Sequence, residues 1–182
     1  VKGAKAMIDD GVMENPAPDA LLGLHTGCLW KEAGPGEVGV RYGALMAAVD
    51  RFQITFRGKG GHGATPHLAV DPVTMASAAV LELQTIISRE LSPLDPAVLT
   101  IGRIAGGTAF NIIAEECVIE GTVRTLSPAT RAFVEERIRA LASRVAEGMR
   151  GSARVEYDAG PPPLINDPEF TRKFQGFAAA LI

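Results

Sequence analysis

Apolar and polar residues alternate strictly from Arg51 to Arg57. Phe52, Ile54 and Phe56 fall on one side and Arg51, Gln53, Thr55 and Arg57 on the other, the pattern of a strand with one face on a core and one toward water. Asp71-Pro72 then supplies an N-cap and a first-turn proline, and Val73, Ala76, Val80, Leu83 and Ile87 recur at three- and four-residue steps until Pro93, which predicts an amphipathic helix. A second strand is expected near Val98 to Ile104. A third runs from Cys117 to Thr125, with Cys117, Ile119 and Val123 facing one way and Glu120, Thr122 and Arg124 the other. Ser127-Pro128 opens a second helix whose buried stripe passes through Phe133 or Val134, Ile138, Leu141, Val145 and Met149, and Gly151 follows its end. Ala153, Val155 and Tyr157 complete the pattern as a last strand.

The order β-α-β-β-α-β over residues 48–158 predicts an α+β, ferredoxin-like domain: one antiparallel four-stranded sheet with two helices on a single face. The face bearing Glu120, Thr122 and Arg124 is left open, and the edges of so small a sheet invite pairing with a second copy. Outside this domain the pattern is partial. Ala4, Met7 and Ile8 predict a short helix stopped by Gly11, and the run Ala20-Leu21-Leu22-Gly23-Leu24-His25 predicts a strand buried on both faces. Residues 1–40 therefore read as a broken segment of an α/β domain, followed by a linker from Gly34 to Gly39. Beyond Gly160 and Pro161-Pro162-Pro163, residues 164–182 read as the start of that domain's return, helical from about Pro168.

Composition narrows the function classes. The chain has 182 residues, 47% hydrophobic and 21% charged, with a formal net charge of -3, so it lacks the basic surface that a nucleic-acid partner needs. No stretch is long and apolar enough to cross a membrane, and no signal pattern opens the chain. Cys28 and Cys117 form neither a Cys-x-x-Cys pair nor a dense framework, which favours a reduced, cytoplasmic setting and a packing role for both.

The chemistry concentrates in two glycine-rich stretches. In Gly58-Lys59-Gly60-Gly61-His62-Gly63-Ala64-Thr65-Pro66-His67, glycines on both sides leave His62 uncovered and let the backbone take positive φ, so the imidazole projects from the end of a strand. The formal G-x-G-x-x-G in this stretch is not a dinucleotide signature, because no helix opens directly after it. His62 and His67, five residues apart, share neither a helix face nor a strand face and make a poor metal pair. The second stretch is Gly106-Gly107-Thr108-Ala109-Phe110-Asn111-Ile112-Ile113, where Asn111 offers an amide that either donates to a ligand or closes an Asx-turn. Arg124 reads, on its own, as a solvated strand residue paired with Glu120.

These two stretches, with Asp71-Pro72 and Glu120-Gly121-Thr122-Val123-Arg124-Thr125, resemble the lid, or dimerisation, domain of the M20 metallopeptidase family. The resemblance is strongest to its amidohydrolase branch of hippurate and auxin-conjugate hydrolases. Asp19 to His25 also resembles that branch's strand ending in a metal-binding histidine. The resemblance implies a homodimer formed through the lid and a small N-acyl amino acid as substrate. It implies two divalent ions, zinc or manganese, in the full-length enzyme, with His25 as a ligand of one. It further implies that His62 reaches into the partner's site to stabilise a tetrahedral oxyanion, that Asn111 assists there, and that Arg124 binds the substrate carboxylate. His67 has a counterpart in the family but no clear role.

The family's remaining ligand motifs, a Cys/His motif and a paired-glutamate motif upstream and a late histidine downstream, do not occur in this sequence. The expectation is therefore a fragment of an amidohydrolase that neither retains the ions nor turns over amides by itself. The competing class is a non-catalytic ferredoxin-like module that binds a small ligand or mediates oligomers, and upstream sequence carrying the missing motifs would separate the two.

Overall fold

The computed structural model of the chain describes residues 3–26 and 34–181. Along it lie α1 (Gly3–Asp9), β1 (Gly43–Met46), β2 (Asp50–Arg57), β3 (Gly61–His62), α2 (Pro72–Thr85), β4 (Ala97–Gly106), β5 (Ile112–Ile113), β6 (Glu116–Thr125), α3 (Pro128–Gly148), β7 (Ser152–Ala159), β8 (Leu164–Asn166) and α4 (Pro168–Ala179). They group into two compact units, Ala44–Ile165 and Val1–Gly43 with Asn166–Ile182.

In the larger unit the sheet order is β4-β6-β2-β7, every neighbouring pair antiparallel. That is the ferredoxin-like arrangement the pattern predicts. Phe52, Ile54 and Phe56 are fully buried and meet Ile119 and Val123 of β6 and Leu83, Ile86, Val134 and Ile138 of the helical layer. Each such side chain contributes about 1.5–3 kcal/mol by leaving water. Gly121 makes the central crossing possible: a Cβ there would lie 2.3 Å from Phe52 Cζ and 2.5 Å from the Thr100 carbonyl oxygen. A bulge between Ile101 and Arg103 shifts the register of edge strand β4.

The helices follow their caps. Asp71 accepts from the amides of Val73 at 2.8 Å and Thr74 at 3.3 Å, and Ser127 accepts from Thr130 at 3.1 Å, each satisfying first-turn donors that the helix leaves free. The buried stripes are rotated from the expected ones. On α2 and the π-helical turn Ile86–Glu90 that follows it, the core contacts are Met75, Ala76, Ala79, Leu83 and Ile86, while Val73 is exposed and Val80 and Ile87 are half-buried. On α3, Val134, Ile138, Ala142 and Ala146 face the sheet, and Leu141 and Val145 sit at the margin. The core faces mix large and small residues, with Met75, Leu83, Val134 and Ile138 beside Ala76, Ala79, Ala142 and Ala146, so the stripe follows how these side chains interdigitate with the sheet.

One end of this sheet is fastened by a polar cluster. Asp50 shares the inward phase of Phe52 and is buried. Its carboxylate accepts from Arg131 Nε at 2.9 Å, from Arg131 Nη2, from the Tyr157 hydroxyl at 2.8 Å and from the Gly160 amide at 3.2 Å. Arg131 also donates to the Gly160 carbonyl at 2.7 Å. A side chain at Gly160 is excluded, since its Cβ would lie 2.0 Å from the Val49 carbonyl oxygen.

In the smaller unit, α1 ends at Asp9 and Gly11 turns the chain with φ of +85°, as expected. Asp167 caps α4 by accepting from the Phe170 amide at 2.7 Å. The expected buried strand at Ala20–His25 is not formed: the segment has no strand pairing, and Leu21, Leu22 and Leu24 are 70%, 62% and 74% exposed. An apolar run becomes a strand only where neighbours take its backbone hydrogen bonds, and none of the described residues does so. Among the described residues no helix is long and apolar enough to cross a membrane.

Two outcomes follow from the packing. Gly121→Ala is expected to destabilise the chain by about 1–3 kcal/mol through overpacking against Phe52, measured by urea unfolding. Burial first, and then the hydrogen bond to Asp50, hold the Tyr157 phenol above its ordinary value of 10.0. The folded state therefore keeps this proton where the unfolded chain gives it up. The associated stability is fully present below pH 10 and is lost as pH rises through the alkaline range. Tyr157→Phe is expected to be less stable than the wild type at pH 8, with the gap narrowing above about pH 10. Unfolding midpoints at both pH values measure this.

Candidate functional site

At the opposite end of the sheet from Asp50, the two glycine-rich stretches are fastened to each other. Lys59 and Val70 exchange backbone hydrogen bonds of 2.8 and 2.9 Å, and the Gly58 amide donates to the Glu115 carbonyl at 2.9 Å. β3 pairs with β5, placing Gly61 opposite Ile113 and His62 opposite Ile112, and the Gly63 amide donates to the Asn111 carbonyl at 2.8 Å. The glycines serve close approach rather than positive φ. A Cβ would lie 2.0 Å from the Val70 carbonyl oxygen at Gly58, 2.9 Å from the Glu115 side chain at Gly60, and 3.0 Å from the Asn111 carbonyl oxygen at Gly63. None of them has positive φ. In the second stretch the expected freedom is used, at Gly107 with φ of +82°.

His62 is exposed at this tip. Its Nδ1 lies 3.1 Å from the Ala64 amide, and the Thr65 amide and hydroxyl lie 2.9 and 3.2 Å from its carbonyl oxygen. A backbone N–H donating to Nδ1 requires a lone pair there, which in a neutral ring leaves the proton on Nε2. A neutral ring held this way keeps Nε2–H as its available donor. Asn111 is also exposed, at a corner of the turn closed by Ile112 donating to the Ala109 carbonyl at 3.3 Å. An open depression of about 650 Å³ is lined by His62, Thr108, Ile112, Glu115 and Glu116, while Asn111 lies outside its lining. Ile112 was not singled out by its residue type; its only signal was its place in the second stretch. His67 sits exposed in the 3₁₀ turn Pro66–Leu68 and gains no role from this geometry.

Arg124 lies elsewhere. It is half-buried near the Asp50 end of β6 and donates to Thr122 Oγ1 at 2.6 Å and to the Val123 carbonyl at 3.3 Å. The Thr122 hydroxyl in turn donates to the Asp50 carbonyl at 2.8 Å. The expected pairing with Glu120 is not made: Glu120 binds Arg103 at 3.0 Å and Arg51 at 3.4 Å. Four residues along a strand span about 13 Å, too far for a direct pair. Arg124 lies eight residue steps along β6 from Glu116, the end nearest the His62 tip, roughly 26 Å at the usual strand rise. Within one chain, His62 and Asn111 come together and Arg124 does not join them.

His25, in the smaller unit, is exposed, and its Nδ1 lies 2.8 Å from the Thr26 carbonyl oxygen. Donation from Nδ1 leaves the Nε2 lone pair outward, the form a metal ligand takes. One imidazole is not a site, however. Among the described residues no three His, Cys, Asp or Glu side chains gather closely enough to hold an ion, so the residues present do not by themselves fit a metal centre. Cys117 is buried, and burial raises its thiol above the ordinary value, which suits packing rather than reactivity. Cys28 lies outside the described residues.

Comparison with known proteins gives a consistent family. Residues 49–150 match the peptidase dimerisation domain of the M20 family. The chain is 43% identical over 169 residues to an N-acetyl-L-cysteine deacetylase of Bacillus subtilis, covering 93% of this chain and 39% of that protein. It is 42% identical over 176 residues to an N-acetyldiaminopimelate deacetylase of a Geobacillus species, covering 97% of this chain and 46% of that protein. Among solved structures it superposes with a TM-score of 0.76 on a dinuclear metal-binding M20 peptidase of Bacillus subtilis, at 30% identity, covering 98% of this chain and 43% of that one. The chain thus spans less than half the length of these relatives.

The ligand geometry yields a direct expectation. After incubation with zinc or manganese and exhaustive dialysis, this chain is expected to retain well under one ion per molecule, since a single His cannot hold a divalent ion against water and buffer. Elemental analysis measures it, and one or two ions per chain would contradict the geometry.

Proposed function

This chain belongs to the M20 peptidase family through its dimerisation domain, and on that premise we propose that the whole protein is an amidohydrolase acting on N-acyl amino acids. In this reading residues 48–158 are the lid, and residues 1–40 and 164–182 belong to the catalytic domain. Two divalent ions serve the whole enzyme and His25 is a ligand of one, the other ligands lying outside this sequence. The substrate class follows the names of the deacetylase relatives, and the family's dimerisation domain supports a homodimer.

The observation that carries the reading is the preparation of His62. A donor held by β3–β5 pairing, with its proton assigned to Nε2 by the Ala64 amide, is ready to stabilise a carbonyl oxygen as it gains negative charge. Asn111, at the corner of the adjoining turn, adds an amide donor to the same oxygen. Arg124 supplies a planar, permanently charged partner for a carboxylate.

The separation of these groups supports action across a dimer. A small N-acyl amino acid cannot bridge the roughly 26 Å between the His62 tip and Arg124 of one chain. If both residues serve one substrate, they come from two chains. The sheet edges agree with such an assembly. Arg139 donates to the Val155 carbonyl of β7 at 2.9 Å, which blunts that edge with a charged side chain. The β4 edge instead carries exposed Val98 and Ile104 and is the edge open to a second copy.

Steady-state assays of the full-length protein test these assignments. His62→Ala is expected to lower kcat by roughly 100-fold or more, the effect of losing one oxyanion donor. Arg124→Ala is expected to raise KM chiefly, because a carboxylate is present in ground and transition states alike. A heterodimer of one His62→Ala chain and one Arg124→Ala chain discriminates further. Action across the dimer leaves one of its two sites with both wild-type residues, so at subsaturating substrate it recovers about half of the wild-type kcat/KM. Recovery absent from a verified heterodimer would place both residues in the same chain's site or outside catalysis.

A further inference from the structure

The tip carries two apolar side chains that nothing in the fold explains. Ile112 is 52% exposed and Phe110 is fully exposed, although both sit in a segment fixed by the β3–β5 pairing and by the turn hydrogen bond from Ile112 to Ala109. Residues directly opposite in an antiparallel pair project to the same face with Cβ atoms about 5 Å apart, so Ile112 stands beside the His62 imidazole. It lines the same depression. Phe110 is the other corner of the turn that presents Asn111. Leaving a β-branched and an aromatic residue exposed on a rigid tip forfeits burial that a core position would give.

We propose that Ile112 and Phe110 are specificity-determining residues that wall the acyl side of the substrate and limit the length of the acyl chain. The inference rests on the oxyanion role of His62 proposed above. A donor bound to the reacting oxygen fixes the carbonyl carbon close by, and that carbon bears two groups. One is the amide nitrogen with the amino acid and its carboxylate, and the other is the acyl chain. Only the acyl chain is apolar throughout, and it is the group that an aliphatic and an aromatic neighbour accommodate without stranding a charge. Ile112, next to the imidazole and lining the depression, would meet its first carbons, and Phe110, the exposed apolar corner of the adjoining turn, would limit the chain further out.

The test uses the full-length protein with N-acetyl and N-butyryl derivatives of one amino acid. Ile112→Ala and Phe110→Ala are each expected to raise the ratio of kcat/KM for butyryl over acetyl by about tenfold, the scale on which a hydrophobic pocket distinguishes small differences in chain length. Ile112→Val keeps the strand-forming shape and most of the wall, so its ratio should stay within about twofold of wild type. A ratio unchanged or lowered in both alanine variants, with thermal stability and dimerisation intact, overturns the proposal. A wild-type protein that hydrolyses neither derivative would instead overturn the amidohydrolase reading beneath it, so the two failures are distinguishable.

Discussion

A buried carboxylate must be met by donors, and the way Asp50 is met fixes the geometry of the larger unit. Its partners come from the first turn of α3, from the end of β7 and from the segment that follows β7. One side chain thus ties the first core strand to the second helix, the last strand and the chain's exit. Removing one partner of such a cluster costs about 3–5 kcal/mol, because the other charge is left buried and unpaired. The hydrophobic layer sets how much stability is available. The cluster decides which strand ends meet and in what register, since a shift of one residue would turn Asp50 toward the open face and Arg51 into the core. Thr122 and Arg124 hang on the same corner through the Asp50 carbonyl, so the candidate carboxylate-binding cation is positioned by the same constraint.

The fold was legible because its signals are local and agree with one another. Alternation in β2 and β6, proline after a capping residue at both long helices, and glycine after the second helix each depend only on neighbouring residues. The rotation of the helical stripes was not legible. Choosing Met75 and Ala79 over Val73 and Val80 depends on the shape of the sheet beneath, which local periodicity does not carry. Nor did the sequence reading pick out Asp50, although one feature pointed to it: an acidic residue in the inward phase of an apolar strand needs a buried cation, which Arg131 supplies from 81 residues away. The apolar run at Ala20–His25 misled for a related reason. Hydrophobicity states that a segment can be buried, and only a neighbouring strand makes it a strand.

At the candidate site the residue types were legible and their grouping was not. The glycines around His62 marked an unusual backbone, but positive φ was the wrong cause: the chain needs room for Val70, Glu115 and Asn111 to approach. This difference bears on chemistry. A loop that closes only on encounter spends binding energy on its own ordering, whereas an imidazole already held by a strand pair and oriented by an amide is preorganised. The distance between His62 and Arg124 could not be read from motif spacing, because it depends on which strand end each motif occupies.

Placing the two candidate groups at opposite ends of one sheet would also give the rigidity of that sheet a purpose. If His62 and Arg124 meet a common substrate only across two chains, their relative position is set by the sheet's length, the register of β6 and the angle at which two copies join. A continuous antiparallel sheet packed on a dense core holds such a distance, because its register and its close-packed core resist deformation. The Asp50 cluster anchors one end of this ruler and the glycine-lined contacts anchor the other. Substitutions in either anchor would touch no substrate and would act only by moving a donor or a cation. At a preorganised site, a misplacement of about 1 Å is enough to cost roughly 100-fold in rate.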